Sequence, residues 1–156
     1  MKYFDSINRH KYIYLGGISE PEDNSLRLIV EEAGVSEDEK TIDIGGSELS
    51  GLRSIEVTEC SCIYEVAFES YVAYSVRDES YALPDEYEVF EGRLICIYSK
   101  SHFLDYVSKS TFASDDHPGP YKNYGFNCLN HVVDVVSIEP PEITLISGRH
   151  LSSVSR

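Results

Sequence analysis

The sequence has few basic residues. It contains 13 Lys and Arg against 27 Asp and Glu, so its net charge is −14 over 156 residues. An electrostatic field of this sign keeps a protein soluble and repels nucleic acids and anionic lipid surfaces. We therefore expect no nucleic-acid partner and no membrane partner.

Long apolar runs are missing as well. The first ten residues lack the apolar stretch of a secretory signal, and no later segment approaches the length of a membrane-spanning helix. We therefore expect a cytoplasmic protein. In that compartment the four cysteines, Cys60, Cys62, Cys96 and Cys128, are expected to remain reduced and to serve as small buried hydrophobic side chains.

The motifs of common catalytic and metal sites are also absent. The chain has no Gly-x-Ser-x-Gly elbow, no His-Glu-x-x-His pair and no dinucleotide-binding fingerprint. Cys60 and Cys62 are close enough to begin a zinc site, but no second Cys/His pair follows at zinc-finger spacing. We predict no metal and no cofactor, and a binding protein is favoured over an enzyme.

What remains is the composition of an ordinary globular protein, with 42% hydrophobic residues. A chain of this length buries about two-thirds of its unfolded surface in one core. The sequence has no internal repeat, low-complexity tract or second hydrophobic core. Residues 1–156 are therefore predicted to form a single domain, with a polar tail over 148–156.

Apolar and polar residues alternate along most of the chain, which is the pattern of half-buried β-strands. Short connections leave no room for crossover helices, so the strands are predicted to pair antiparallel, with a hairpin turn at 91–92. Residues 35–51 are acidic and contain glycine, and they are predicted to form a loop with at most a short strand over 41–44. The other strands are predicted over 11–15, 26–30, 55–57, 60–68, 71–77, 87–90, 93–98, 124–137 and 142–146.

One amphipathic helix is predicted near residues 101–113. Ser101 is a suitable N-cap, and Phe103, Leu104 and Val107 fall on one face at helical spacing. The predicted fold class is therefore α+β: a mainly antiparallel β-sheet, curved into a barrel or a sandwich, which the helix covers in part.

The segment 124–137 has valines on both faces, which predicts a central strand that is buried on both sides. On such a strand Asn130 and Asp134 lie on one face and His131 on the other, so His131 and Asp134 cannot form a catalytic pair. Buried polar groups need hydrogen-bond partners. Two interpretations stay open: a satisfied polar core, or a ligand pocket around Asn130, His131 and Asp134.

The excess acidity lies in one segment. Between Glu20 and Glu91 there are 20 acidic residues against 4 basic ones, whereas the rest of the chain has 7 acidic and 9 basic residues. A solvated surface that serves solubility would explain this density, and so would a surface that attracts a cationic partner.

Tyrosines accompany these acidic residues. The chain has 12 Tyr, a residue type that is common both on sheet faces and at protein interfaces. Acidic groups interleaved with tyrosine suit a cationic protein surface. The candidate partner-binding residues are Glu65, Glu69, Tyr71, Tyr74, Asp78, Glu79, Asp85, Glu86 and Glu88.

Three stretches give the chain a family likeness. Residues 121–137, 71–74 and 87–92 resemble a group of small bacterial proteins, and the acidic, motif-poor profile as a whole is similar to bacterial immunity proteins. Immunity proteins neutralise a cognate toxin. The resemblance implies an inhibitory protein-binding role and assigns no site residue.

The leading hypothesis is thus an acidic, cytoplasmic protein-binding module of the immunity type, which binds and occludes a basic partner such as a bacterial toxin. The first alternative is a small-molecule-binding or enzymatic sheet domain with its pocket around Asn130, His131 and Asp134. The second alternative is a structural homo-oligomer, for example a homodimer formed through a sheet edge or the helix face.

Overall fold

Ten β-strands and two short helices form in the computed structural model, which describes residues 1–83 and 85–148. The helices are α1 (Phe4–Arg9) and α2 (His102–Ser110), and neither is long and apolar enough to cross a membrane. The strands are β1 (Tyr12–Ser19), β2 (Leu26–Ile44), β3 (Ser47–Glu56), β4 (Ile63–Phe68), β5 (Ala73–Asp78), β6 (Val89–Gly92), β7 (Ile95–Lys100), β8 (Lys122–Asn127), β9 (His131–Ser137) and β10 (Glu142–Ser147).

The strands form two five-stranded sheets that face each other as an open sandwich. The first sheet has the order β1-β2-β4-β10, with β3 paired to the distal half of β2, and the second has the order β5-β9-β8-β7-β6. All the strand pairs in these sheets are antiparallel. The predicted α+β class, with a mainly antiparallel sheet, is therefore confirmed.

The core lies between the two sheets and follows from the alternation of side chains along each strand. On β4, Tyr64, Val66 and Phe68 are buried, and Phe68 meets Phe126 of the second sheet edge-to-face with ring centroids 6.3 Å apart. Burial of these large apolar surfaces is the main stabilising contribution to the fold.

Strand β9 is buried on both faces. Val133 and Val135 point into the core between the sheets, whereas Val132 and Val136 lie on the outer face and are buried there too. The outer face is covered in part by α2, whose Val107 is fully buried. Both faces of β9 are apolar because α2 covers the outer face in part and the first sheet covers the inner face.

The predicted long strand over 124–137 is wrong in one respect. It consists of two antiparallel strands, β8 and β9, joined by a turn over 128–130. The turn is closed by the bond from the Cys128 N–H to the His131 carbonyl at 2.9 Å. The turn contains neither Gly nor Pro, so its sequence signal is limited to Asn130.

The predicted acidic loop over 35–51 is also wrong. Residues 35–56 form a hairpin, here called the arm, from the distal half of β2 and all of β3. Gly45 and Gly46 take positive φ angles of 63° and 87°, which a two-residue hairpin turn requires. Among the described elements the arm pairs only with itself, and Ile42, Ile44 and Leu49 on it are exposed.

The helix predicted near 101–113 is confirmed as α2, although it ends at Ser110. The Ser101 hydroxyl accepts a hydrogen bond from the Leu104 N–H at 3.1 Å, as an N-cap should. Helix α1, which the sequence pattern did not predict, places the Asn8 side chain beside the β6–β7 turn. That turn lies at 93–94 rather than at 91–92, because the Asn8 Oδ1 atom accepts hydrogen bonds from its backbone N–H groups.

Three of the four cysteines are buried, as predicted, and all four are free thiols. Burial raises the pKa of Cys96 to about 11 and that of Cys128 to about 12, so both remain protonated at neutral pH. Cys60 differs from the prediction because it lies in an exposed turn before β4. The polar tail predicted over 148–156 lies outside the described residues from 149 onward.

Leucine-to-alanine substitutions in the core and in the arm should differ in their effect on stability. We expect Leu28→Ala, which removes a fully buried side chain from the first half of β2, to lower the free energy of unfolding by about 2–5 kcal/mol. Leu49→Ala, on the exposed arm, should change it by less than about 0.5 kcal/mol. Urea unfolding measures both values, and similar losses for the two variants would contradict a free arm.

Candidate functional site

A cleft of about 740 Å³ opens on the outer face of the second sheet, beside α2. Its floor is formed by the inner strands of the sheet, with Asn127 on β8 and Val132 on β9 among the lining residues. The volume lies within the range of about 300–1,000 Å³ that is typical of ligand sites. It is the larger of the two cavities that we describe on this face.

The cleft exists because one connection crosses the face of the sheet. Strands β5 and β6 form opposite edges of the second sheet, four strand spacings apart, which is a distance of about 19 Å. The described residues 79–83 and 85–88, here called the strap, lie on this crossing. Residue 84 is not described. Ala82 and Leu83 of the strap line the cleft, so the strap forms one of its walls.

Short polar contacts hold the strap at both ends. At its start, the Asp78 carboxylate accepts a hydrogen bond from the Ser80 N–H at 2.9 Å and caps a single 3₁₀ turn over Glu79–Tyr81. Near its end, Asp85 accepts a hydrogen bond from the Tyr87 N–H at 2.8 Å. Aspartate side chains commonly fix turns in this way, so the sequence of the strap determines its local shape.

The end of the strap is also fixed to α2 through His102. The Asp85 Oδ2 atom lies 2.6 Å from the His102 Nε2 atom, and the Tyr87 ring stacks on the imidazole with centroids 4.7 Å apart. The Glu88 carboxylate accepts a hydrogen bond from the His102 N–H at 3.2 Å. The hydrogen bond to His102 lowers the pKa of Asp85, and the same bond raises the pKa of His102.

The floor of the cleft depends on one glycine. A Cβ atom at Gly125 would come within 2.6 Å of the Tyr98 ring, so only glycine allows the ring to lie across β8. Tyr98 is buried there, and burial raises the pKa of its hydroxyl. With Phe90 and Val132 it gives the cleft an apolar floor.

A polar network is buried next to this floor. The Asp134 side chain, only 4% exposed, accepts a hydrogen bond from the Arg77 guanidinium at 2.7 Å and another from the Asn123 amide at 3.0 Å. Asn123 also donates to the Ser101 hydroxyl at 3.1 Å. The network links β5, β9, β8 and the N-cap of α2. The Arg77 cation and the Asn123 amide offset the cost of removing this carboxylate from water.

The charges around the cleft are distributed unequally between its walls. Four basic residues line the cleft. Arg77 is paired with Asp134 and His102 with Asp85, the Arg93 guanidinium donates to the backbone carbonyls of Asn8 and Lys11, and the Lys11 ammonium lies over the Tyr12 ring. On the strap, Glu79 and Glu86 have no side-chain hydrogen bond or ion pair to any residue that the structure describes. These two carboxylates can therefore attract an external cation.

The nine residues predicted to bind a partner do not form one surface. Those of the strap and its root come together at the cleft: Glu79, Asp85, Glu86 and Glu88 line it, and Asp78 precedes them. The sequence indicated this cluster only through the high number of carboxylates in a short segment.

The other four predicted residues lie elsewhere and do not line the cleft. Glu65 is on the outer face of the first sheet, paired with Arg27, and Glu69 is exposed beyond the end of β4. Tyr71 and Tyr74 contact each other edge-to-face at 5.1 Å near the start of β5. The Tyr71 hydroxyl donates to Glu20 at 2.6 Å, and this bond raises its pKa to about 12.

The structure does not bring the three residues of the alternative pocket together. The Asn130 amide bonds both the N–H and the carbonyl of Leu15, each at 3.0 Å, so it ties the β8–β9 turn to β1. His131 and Asp134 lie on opposite faces of β9, as predicted. Asp134 borders a small cavity of about 200 Å³ next to the cleft, which Arg77 and His102 also line.

Sequence reasoning missed His102, Arg77 and Tyr98 as site residues. Each lies on a different element, and only the order of strands in the sheet brings them to one cleft. The one available signal was the position of His102 directly after the N-cap Ser101, where its N–H is free to meet a carboxylate.

Comparison with known proteins adds no assignment to this geometry. The chain matches no protein-family model, and no curated protein and no solved structure is significantly similar to it. The arrangement of the cleft itself therefore carries the functional argument.

Removal of the Asp85 carboxylate should change the titration of His102. The hydrogen bond to Asp85 raises the pKa of His102 above its ordinary value of 6.5, so in Asp85→Asn we expect the pKa to fall back toward that value. In the unmodified protein the ion pair is present below this raised pKa and is lost as the pH rises through it. It is lost again at acid pH, when the pH falls through the lowered pKa of Asp85.

An NMR titration of the imidazole resonances measures the His102 pKa directly. Glu79→Gln is the matched control, because it also removes one carboxylate from the strap but has no contact with His102. An unchanged His102 pKa in Asp85→Asn would contradict the contact that fixes the strap to α2.

Proposed function

We propose that the chain is a binding module for a cationic protein, and that a basic segment of this partner docks in the cleft beneath the strap. The observation that carries the proposal is the acidic wall of the cleft. Its Glu79 and Glu86 side chains form no ion pair or side-chain hydrogen bond within the described structure, whereas Arg77 and His102, two of the four basic residues that line the cleft, are each held by a carboxylate.

The floor of the cleft supports the same proposal. Phe90, Tyr98 and Val132 offer apolar and aromatic contact area directly beside the carboxylates. Arginine and lysine side chains use such a combination well, because their aliphatic stems pack on apolar surface while their charged groups meet carboxylates. The net charge of −14 adds long-range attraction that speeds the encounter with a basic partner.

A binding role fits the cleft better than a catalytic role. The Asp85–His102 pair has the geometry of a base with its orienting carboxylate. Within the described residues, however, no serine, threonine or cysteine side chain hydrogen-bonds to the His102 ring. Without a nucleophile the pair positions the strap, and the module acts by occupying its partner's surface, as an immunity-type inhibitor does.

A second candidate is a small cationic molecule as the ligand of the same cleft. The cavity volume of about 740 Å³ and the apolar floor favour it. The two candidate ligands differ in the extent of their contacts with the protein. A protein segment makes contacts along the strap and beyond it, whereas a small molecule obtains its affinity from the cleft alone.

Charge reversal on the strap tests the proposal with a hexa-arginine peptide as the probe. We expect Glu79→Lys/Glu86→Lys to weaken peptide binding about tenfold or more, because attraction by the acidic wall becomes repulsion. Binding to the unmodified protein should weaken as salt is raised, since mobile ions screen exposed charges. Isothermal titration calorimetry gives the affinities, and NMR shift mapping locates the bound peptide.

The control is Glu22→Lys/Asp23→Lys, in the exposed β1–β2 turn, which changes the net charge by the same amount. Equal weakening in both double variants would show that only the overall charge matters and would sink the proposed site. Arginine methyl ester separates the two candidates. If it binds as tightly as the hexapeptide, the small-molecule candidate is correct; a much weaker affinity supports the protein segment.

A further inference from the structure

Three potential metal ligands meet at a second place in the fold. His10 follows α1, Glu32 belongs to β2, and Cys62 lies just before β4, yet one donor atom of each lies within 4.8 Å of the other two. None of the three lines the cleft. They lie far apart in the sequence, so the spacing of Cys and His residues along the chain does not indicate them.

Direct contacts already hold this cluster in place. The Glu32 Oε1 atom lies 2.9 Å from the His10 Nδ1 atom, and the Glu32 Oε2 atom accepts a hydrogen bond from the Cys62 N–H at 2.9 Å. The backbone adds a bond from the Glu32 N–H to the Cys62 carbonyl at 2.8 Å. The three side chains therefore have little conformational freedom left to lose when they bind an ion.

The second nitrogen of His10 is held as well. Its Nε2 atom lies 2.8 Å from the hydroxyl of Tyr64, which is almost fully buried. Histidines that bind metals with one ring nitrogen commonly have the other fixed by such an outer partner, which sets the tautomer. Here a proton on Nε2, donated to the Tyr64 oxygen, would leave Nδ1 free as a ligand.

The cluster is enclosed but not sealed. The His10 side chain is 9% exposed and the Glu32 side chain 32%, so an ion can reach it past the carboxylate. On the inner side Gly148 packs against Cys62 so closely that a Cβ atom there would come within 2.9 Å of the Cys62 Sγ atom.

The Cys62 side chain is buried beside the Glu32 carboxylate. A cation between the sulfur and the carboxylate stabilises the thiolate, because its positive charge offsets both negative groups.

We propose that His10, Glu32 and Cys62 form a binding site for Zn²⁺. One sulfur, one imidazole nitrogen and one carboxylate oxygen are a ligand set that suits zinc, and three protein ligands leave the fourth tetrahedral position to water or to a group of a partner. On binding, the Cys62 S–H proton is released to solvent as the Zn–S bond forms. The His10 proton between Nδ1 and Glu32 is exchanged for one on Nε2, so that Nδ1 can bind the ion, and no oxidation or reduction takes place. The ion joins the end of α1 to the first sheet.

A titration of the full-length protein with Co²⁺, followed by displacement with Zn²⁺, tests this site. We expect one Co²⁺ per chain, with the thiolate-to-metal charge-transfer band and the visible bands of a four-coordinate ion. The charge-transfer band should disappear in Cys62→Ser. Cys60→Ser is the matched control: it removes the exposed thiol two residues away and should leave the spectrum unchanged.

Two conservative variants keep the test decisive if Cys62→Ser fails to fold. His10→Gln should abolish the four-coordinate spectrum. Tyr64→Phe, which removes only the hydroxyl that holds His10 Nε2, should weaken Zn²⁺ binding about 10- to 100-fold while circular dichroism stays unchanged. The proposal is overturned if the unmodified protein shows no charge-transfer band, if the band depends on Cys60, or if His10→Gln binds the metal as tightly as the unmodified protein.

Discussion

The burial of β9 on both faces is the constraint from which the rest of the structure follows. Val133 and Val135 on its inner face require the first sheet, and Val132 and Val136 on its outer face require a second cover. The short helix α2 supplies that cover for only part of the outer face, because it has nine residues and contacts mainly β8 and β9. The part that α2 leaves open is the floor of the cleft.

The same constraint explains the polar network. Asp134 shares the outer face with the buried valines, so its carboxylate needs partners at the point where α2 meets the sheet. Arg77, Asn123 and, through Asn123, the N-cap Ser101 satisfy it. The network therefore fixes where α2 begins, and His102 at its first turn becomes the anchor for the strap. Core packing and the candidate site are connected by this one aspartate.

The sequence allowed the fold class to be predicted but not the way in which the strands meet. Alternation on β4 and β10 was sufficient to identify both strands, and Ser101 identified the helix start. The β8–β9 turn was not predicted because the Asn130 side chain is fixed by hydrogen bonds to Leu15, which is distant in the sequence. The arm was not predicted because an acidic segment that contains glycine is typical of a loop, whereas here Gly45 and Gly46 form a tight hairpin turn.

Only the acidic part of the candidate site could be predicted from the sequence. The carboxylates of the strap are close together in sequence, so their density could be recognised, whereas Arg77, Tyr98 and His102 reach the cleft only through the strand order of the second sheet. Glu65 and Glu69 belong to the same acidic segment but lie outside the cleft. The density of carboxylates in the sequence thus suggests a cationic partner, but only the tertiary structure shows which carboxylates lie close together.

The central claim is that the acidic wall of the cleft selects a cationic protein. The most direct test is affinity purification from cells of the source organism with three baits: the unmodified protein, Glu79→Lys/Glu86→Lys, and Glu22→Lys/Asp23→Lys. Quantitative mass spectrometry at low and high salt identifies what each bait retains. We expect one basic protein on the first and third baits, which is absent from the second bait and is released by salt. Recovery of the same proteins on all three baits, or of no basic protein on any of them, would contradict it.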